Sequence, residues 1–280
     1  MDSFLPVGQA LPQLEPCRWL ISLDFDGTLW HGDDTPPIPA EFFSLMRQWR
    51  TLGVRWGINT GRTMAYLFDD LATLAPFLPD FICTCERFVY LADAAGTLCP
   101  LVTHNEAANR AAALLRQRMQ PPLHAELDKI RHTSPELEWI IAPSDPLSVE
   151  AADGATMDAL AELLQPFMAQ YADVSMQRAG RYMRLADSRF NKGTALAHVA
   201  EAWQLPNEHL LIIGDGHNDI DAFSRFPGAF NAAPSDAHPE VQHWLREHNG
   251  YLSPETGVMQ ILRHWETHSF DNKAVCCGKE

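Results

Sequence analysis

Apolar positions along the chain follow two rhythms. Short continuous apolar runs occur at Trp19 to Leu23, Val54 to Ile58, Asp80 to Cys85 ("DFICTC") and Leu210 to Ile213. Each is bounded by polar or glycine-containing turns, as a fully buried strand is. Between them the period changes to that of a helix. "FFSLMRQW" places Phe42, Leu45, Met46 and Trp49 on one face, and Gly53 stops the helix. "TMAYLFDDLATL" predicts the next helix. Strands separated by single helices imply βαβ units and a parallel sheet.

After the third strand the pattern changes. "RFVYLADAAGTLCPLV" reads as a hairpin turning at Gly96, followed by an Ala-rich helix over Asn105 to Met119. "EWIIAP" and "LSVEAAD" read as strands, and "TMDALAELLQPFMAQY" as a helix interrupted or ended near Pro166. "DVSMQRAGRYMRLAD" reads as a second hairpin, around Gly180. Adjacent strand pairs backed by helices predict an antiparallel α+β unit. Beyond "SRFNKG" the first rhythm resumes, with a helix over Gly193 to Trp203, the Leu210 strand, and alternating elements to "TGVMQILRHW". The predicted fold is α/β: a Rossmann-like parallel-sheet core built from residues 1–103 and 188–280, with an α+β insert over residues 104–187.

Composition narrows the function classes. Among 280 residues, 21 are basic and 36 acidic, a net charge of -15. That sign argues against nucleic acid and against an anionic membrane surface as partners. No apolar run reaches transmembrane length, and "MDSFLPVGQALPQLEP" lacks the layout of a signal peptide. The six cysteines show no C-x-x-C spacing, and the vicinal Cys276–Cys277 pair sits in a polar tail. Neither a zinc site nor a disulfide framework is suggested, so a reducing cytoplasm is the expected compartment. Nothing in the sequence fixes the oligomeric state.

The candidate chemistry lies where strands end. "LISLDFDGTLW" runs a strand into Asp24 and Asp26, although acidic residues are poor strand formers. Two residues apart in an extended segment face the same way, so the two carboxylates are expected to converge at a strand's carboxyl end. Such a pair calls for a counter-charge, and hard oxygen ligands suit Mg²⁺. "INTGR" places Thr60 and the Gly61 amide at a strand-to-helix turn suited to phosphate oxygens. "NKGTAL" places Lys192 at a helix start, where the dipole already favours an anion. "LLIIGDGHNDIDAF" ends a strand in Asp215 and adds Asn218 and Asp219. Together they describe a metal-plus-phosphate site.

These four segments, in this order, resemble the motifs of the haloacid dehalogenase superfamily of phosphohydrolases. The large insert resembles the C2 type of cap, of the IIB variety found in Cof-like and sucrose-phosphatase-like members. The resemblance implies a Mg²⁺-dependent phosphatase acting on a small phosphorylated metabolite, such as a sugar or polyol phosphate. It implies Asp24 as the nucleophile that forms an aspartyl phosphate, and Asp26 as general acid and base. Thr60, Gly61, Lys192 and Asn218 would hold the phosphoryl group. Asp24, the Asp26 backbone carbonyl and Asp215 would hold the metal, with Asp219 orienting Lys192 or a metal-bound water. Arg62, Glu150, Arg181 and Arg184 are candidates to touch substrate, the last three from the cap. The chain departs from the family where many relatives carry Asn-Gly: here it reads Cys85-Glu86-Arg87. A dehalogenase of this fold would lack Asp26. A non-catalytic binding or regulatory protein, or a phosphotransferase to a sugar, are the alternatives.

Overall fold

Both faces of the central strands are apolar because both are covered. A computed structural model describes residues 16–32 and 34–270; the start of the chain and the Cys276–Cys277 pair lie outside the described residues. In β1 (Trp19–Leu23), Ile21 and Leu23 pack into one core and Leu20 into another. β10 (Leu210–Ile213) divides the same way, with Leu211 and Ile213 opposite Leu210 and Ile212. A strand covered on both sides reads as one apolar run rather than as an alternation. The first core draws in α1 (Ala40–Arg50) and α8 (Met259–Trp265) through Phe42, Trp49 and Trp265. The second draws in α5 (Lys192–Ala202), α6 (Ile220–Arg225) and α7 (Pro239–Glu247) through Leu196, Phe223 and Leu245.

The main sheet has eight strands in the order β12-β11-β10-β1-β2-β3-β4-β5. β2 is Val54–Asn59, β3 Phe81–Thr84, β11 Phe230–Ala233 and β12 Tyr251–Leu252; these pair in parallel around β1 and β10. β4 (Phe88–Ala92) and β5 (Leu98–Pro100) are antiparallel and close one edge, as the predicted hairpin requires. Leu23 lies level with Ile58 on one side and with Ile213 on the other. The next residues of all three strands therefore emerge at one sheet edge. From β1 the chain builds outward through β2 and β3, then returns to build β10, β11 and β12 on the other side. This is a topological switch point, the crevice where open α/β sheets bind ligands.

The intervening chain forms a second, antiparallel sheet in the order β6-β7-β9-β8. Its strands are Trp139–Ile141, Ser148–Ala151, Tyr182–Asp187 and Val174–Ala179 respectively. One face, with Val149, Met183 and Leu185, packs on α3 (Val102–Thr133) and α4 (Gly154–Met168). Strand alternation puts Ser148, Gln177, Tyr182 and Arg184 on the other.

α3 corrects the sequence reading, which ended this helix at Met119. It runs 32 residues, through Pro121 and Pro122. Leu115, Met119, Leu123, Leu127 and Ile130 form a buried stripe that continues past the prolines. A proline inside a helix costs about 3 kcal/mol or more. Burying Leu123, Leu127 and Ile130 contributes about 1.5–3 kcal/mol each, together of the same order as the cost of two prolines, so packing offsets the local penalty. No helix among the described residues is long and apolar enough to cross a membrane.

Candidate active site

The β1–β10 ladder extends one residue beyond the strands, since the Asp24 amide donates to the Ile213 carbonyl at 2.9 Å. This fixes the Asp24 backbone at the crevice. The residue is 6% exposed, and its Oδ1 accepts from the Phe25 amide at 2.7 Å. The Lys192 ammonium lies 2.9 Å from the same oxygen and 2.8 Å from Asp219 Oδ1. Lys192 opens α5, where Asn191 caps the helix by accepting from the Thr194 amide. Asn59, the last residue of β2, donates its side-chain amide to the Lys192 carbonyl at 3.0 Å. The lysine is thereby tied to the sheet edge at its backbone and to two carboxylates at its tip.

Asp215 follows β10. Its Oδ1 accepts from the Thr28 hydroxyl at 2.6 Å. Gly27 has φ +72°, and a Cβ there would overlap the Asp215 carboxylate. Only glycine serves this turn, on both counts. Gly214 is equally constrained, since a Cβ would run into the Asp219 carboxyl carbon. The Gly216 amide donates to Asp219 Oδ2 at 3.0 Å, so both oxygens of Asp219 are occupied.

Asp24, Asp215 and Asp219 each bring a carboxylate oxygen within 4.8 Å of the others. Their charges sum to -3, and Lys192 returns +1. Burial raises the pKa of all three carboxyl groups, Asp215 up to about 7. The neighbouring carboxylates add to this, while Lys192 opposes it. For Lys192 burial acts in the opposite sense, but Asp219 and Asp24 outweigh it and raise its pKa. The residual charge of -2, carried on hard oxygens, fits a divalent cation of the Mg²⁺ kind.

Asp26 is not one of the three clustered carboxylates, although its charge still raises the Asp24 pKa. The chain leaves β1 before Asp26 and turns at Gly27, so the two-residue alternation no longer applies. The Asp26 side chain is 50% exposed and sits in the fork of Arg62, accepting from Nη2 at 2.6 Å and Nε at 2.8 Å. Arg62 also bridges to Asp70 and lies 4.8 Å from the ring centres of both Phe25 and Trp30. It is therefore a fixed part of the crevice.

Thr60 is buried, and its hydroxyl accepts from the Arg62 amide at 3.1 Å. Gly61 opens onto a small cradle: a Cβ there would lie 3.2 Å from Glu86 Oε1 and 3.9 Å from Asn218 Nδ2. Asn218 donates to Glu86 Oε1 at 2.6 Å. Glu86 is 3% exposed and follows β3 in a left-handed pair, with φ +50° at Cys85 and +60° at Glu86. Sequence reasoning noted Glu86 only as a departure. Its available signal was an acidic residue just after β3, beside Thr60 on the same sheet edge.

The four more peripheral candidates separate. Arg62 joins the crevice through Asp26. Arg184, on β9, is buried and donates to Gln177 Oε1 at 2.8 Å, the Cys85 carbonyl at 2.7 Å and Glu86 Oε2 at 3.3 Å. It links the antiparallel sheet to the β3–β4 turn. Arg181 is exposed beside Gly180 in the hairpin turn, and Glu150 is half-buried on β7 opposite Tyr182. A second polar seam joins the two layers at Asp158 of α4. Its Oδ2 lies 3.5 Å from His238 Nε2, and its Oδ1 pairs with Arg178. The His217 and His238 ring centres lie 3.7 Å apart with the planes tilted by 46°. The Glu240 amide faces His238 Nδ1 at 3.3 Å, which leaves the proton on the nitrogen that faces Asp158.

A family model described as haloacid dehalogenase-like hydrolase matches residues 118–249, which include Lys192, Asp215, Asn218 and Asp219. No curated protein matches by sequence. Among solved structures, the sucrose-phosphatase from Synechocystis sp. PCC6803, in complex with sucrose and phosphate, is similar over 90% of this chain and 98% of its own. Its TM-score is 0.67 at 19% identity. The haloacid dehalogenase-like hydrolase protein yhjK from Bacillus subtilis covers 92% of this chain and 94% of its own, with a TM-score of 0.60 at 13% identity. At these identities the likeness is one of fold. The family match over residues 118–249 and the shared fold make the chain similar to the haloacid dehalogenase-like hydrolases.

Proposed function

We propose that the protein is a Mg²⁺-dependent phosphatase that hydrolyses a small phosphomonoester through an aspartyl phosphate on Asp24. The observation that carries this is the buried Asp24 carboxylate at the switch point, paired with Lys192 and grouped with Asp215 and Asp219. Asp24, Asp215 and the Asp26 backbone carbonyl would hold the metal, with Asp219 acting through Lys192. Mg²⁺ bound there supplies charge neutralisation for the nucleophile and the phosphoryl group.

The chain's own residues account for the rest. The Phe25 amide and Lys192 share Asp24 Oδ1, which fixes the orientation of the nucleophile before substrate arrives. Asp24 attacks phosphorus, and the bond to the leaving oxygen breaks. Thr60, the Gly61 amide, Lys192 and Asn218 hold the equatorial oxygens as charge redistributes. Asp26 gives a proton to the leaving oxygen and later takes one from a water, whose oxygen bonds to phosphorus as the bond to Asp24 breaks and phosphate leaves. Each of its oxygens is an acceptor in the Arg62 fork, so Asp26 must rotate out of that fork to act as donor.

Residues 104–187 form the cap in this reading, and the polar face of its sheet carries Ser148, Gln177, Tyr182 and Arg184. A face of hydroxyl, amide and phenol groups suits a polyol or sugar leaving group, as does the fold likeness to a sucrose-phosphatase. The experiment is a panel of phosphomonoesters assayed with the purified protein in Mg²⁺ and in EDTA. Turnover of sugar phosphates that EDTA abolishes and Mg²⁺ restores is the expected result. Full activity in EDTA would remove the metal from the account, and no turnover of any ester would remove the phosphatase.

A further inference from the structure

The cradle between Gly61 and Asn218 already contains an anionic group, and it belongs to the protein. Glu86 Oε1 accepts from Asn218 at 2.6 Å and lies next to the open side of Gly61. Glu86 Oε2 faces the Arg184 guanidinium at 3.3 Å. The carboxylate thus takes the amide and the arginine as a phosphoryl group's oxygens would take such donors. Its placement is structurally constrained. Two consecutive residues, Cys85 and Glu86, hold positive φ without being glycine, a conformation that costs energy unless its surroundings impose it. The Cys85 amide donates to the Arg62 carbonyl at 2.8 Å, and the Glu86 amide to the Thr60 carbonyl at 3.0 Å. The turn is therefore bolted to the segment that carries Thr60 and Gly61.

We propose that Glu86 sets the affinity of the phosphoryl cradle: its carboxylate occupies the cradle, and an incoming phosphoryl group must displace it from Asn218. This rests on the phosphatase reading for the position of the cradle. Arg184 makes the arrangement tolerable, because it offsets a buried carboxylate that Asn218 alone would satisfy on one oxygen only. Displacement of Glu86 disfavours every anion alike. A phosphomonoester recovers the loss through contacts of its leaving group with the antiparallel sheet, and inorganic phosphate has no leaving group. The carboxylate therefore keeps the free anion weakly bound where the ester still binds, and it speeds departure of the product.

The test is calorimetric titration of inorganic phosphate into the Mg²⁺-loaded protein and its variants, with thermal melts to verify folding. Glu86→Gln keeps the shape and removes the charge, and should bind phosphate about ten-fold more tightly or better. Glu86→Ala, which vacates the cradle, should shift binding in the same direction. Arg184→Gln, which leaves the carboxylate uncompensated, should shift it the opposite way. In the steady state, the inhibition constant for phosphate should fall in Glu86→Gln by about the same factor as the calorimetric dissociation constant. Unchanged or weaker phosphate binding in Glu86→Gln overturns the proposal, as does absence of binding in every form. Loss of the fold in both Glu86 variants would make the residue a structural one and overturn it too. Because the titration needs no turnover, tighter phosphate binding with no ester hydrolysis would sink the phosphatase reading alone. Ester hydrolysis with unaltered phosphate binding would sink this one alone.

Discussion

Replacing Lys192 with methionine should make the fold depend on a divalent cation. The side chain is fully buried, with its ammonium 2.9 Å from Asp24 and 2.8 Å from Asp219. At an effective dielectric of about 20, each contact is worth roughly 6 kcal/mol of gross attraction, and desolvation of the three ions cancels much of that. Removing one partner of a buried pair leaves the other uncompensated and typically costs about 3–5 kcal/mol. At roughly 2–4 °C per kcal/mol for a chain of this size, Lys192→Met should melt about 6–20 °C below the wild type in EDTA. The carboxylates can take up protons in place of the lost ammonium, so the deficit should be smaller at pH 5.5 than at pH 8. Mg²⁺ should restore a large part of it, since three carboxylates and no ammonium give the metal more charge to neutralise. The assay is differential scanning fluorimetry in EDTA and in Mg²⁺ at the two pH values. A variant that melts with the wild type in EDTA at pH 8 would refute the argument that Lys192 holds the cluster together.

Further outcomes follow from the same geometry. The stabilisation that Mg²⁺ gives the wild type should grow between pH 5 and 8: Asp215, with its pKa raised to about 7 by burial, holds a proton in the metal-free fold at pH 5 that the metal must displace. For the same reason the metal-free protein binds more protons folded than unfolded over that window, so this group's contribution to stability falls as pH rises; melting curves with and without Mg²⁺ check both signs. Asp26→Asn should lose about 10²–10⁴-fold of the phosphoryl-transfer rate on a sugar phosphate, and far less on p-nitrophenyl phosphate, whose leaving group departs as a good anion. Single-turnover kinetics read the contrast, and equal losses on both would take the acid role from Asp26.

Much of the fold was legible because its strands are covered on both faces. Such strands appear as unbroken apolar runs, and β1 and β10 follow the expected bounds residue for residue. The end of α3 was not legible, since the two prolines are local signals and the leucine stripe beyond them gains its weight from a distant sheet. At the site, each of Asp24, Lys192 and Asp215 stands directly at a strand or helix end, so a placement rule sufficed. Asp26 lies outside the buried cluster, since β1 ends at Leu23 and the chain is already turning when it reaches Asp26. Glu86 and Arg184 lie about a hundred positions apart and meet only through the packing of one sheet on the other. Their pairing has no local signature, and neither does the left-handed turn that aims Glu86, since it uses no glycine.

The central claim is that Asp24 becomes phosphorylated, and acid-quenched single turnover tests it most directly. Enzyme in excess over a sugar phosphate is mixed with it in Mg²⁺, quenched within milliseconds, digested and analysed by mass spectrometry. The peptide carrying Asp24 should gain the mass of one phosphoryl group, reach a maximum and decay as phosphate appears. Asp24→Asn should show neither the adduct nor phosphate release while it still melts cooperatively. Release of phosphate by Asp24→Asn at the wild-type rate, or an adduct on any other residue, would contradict the account.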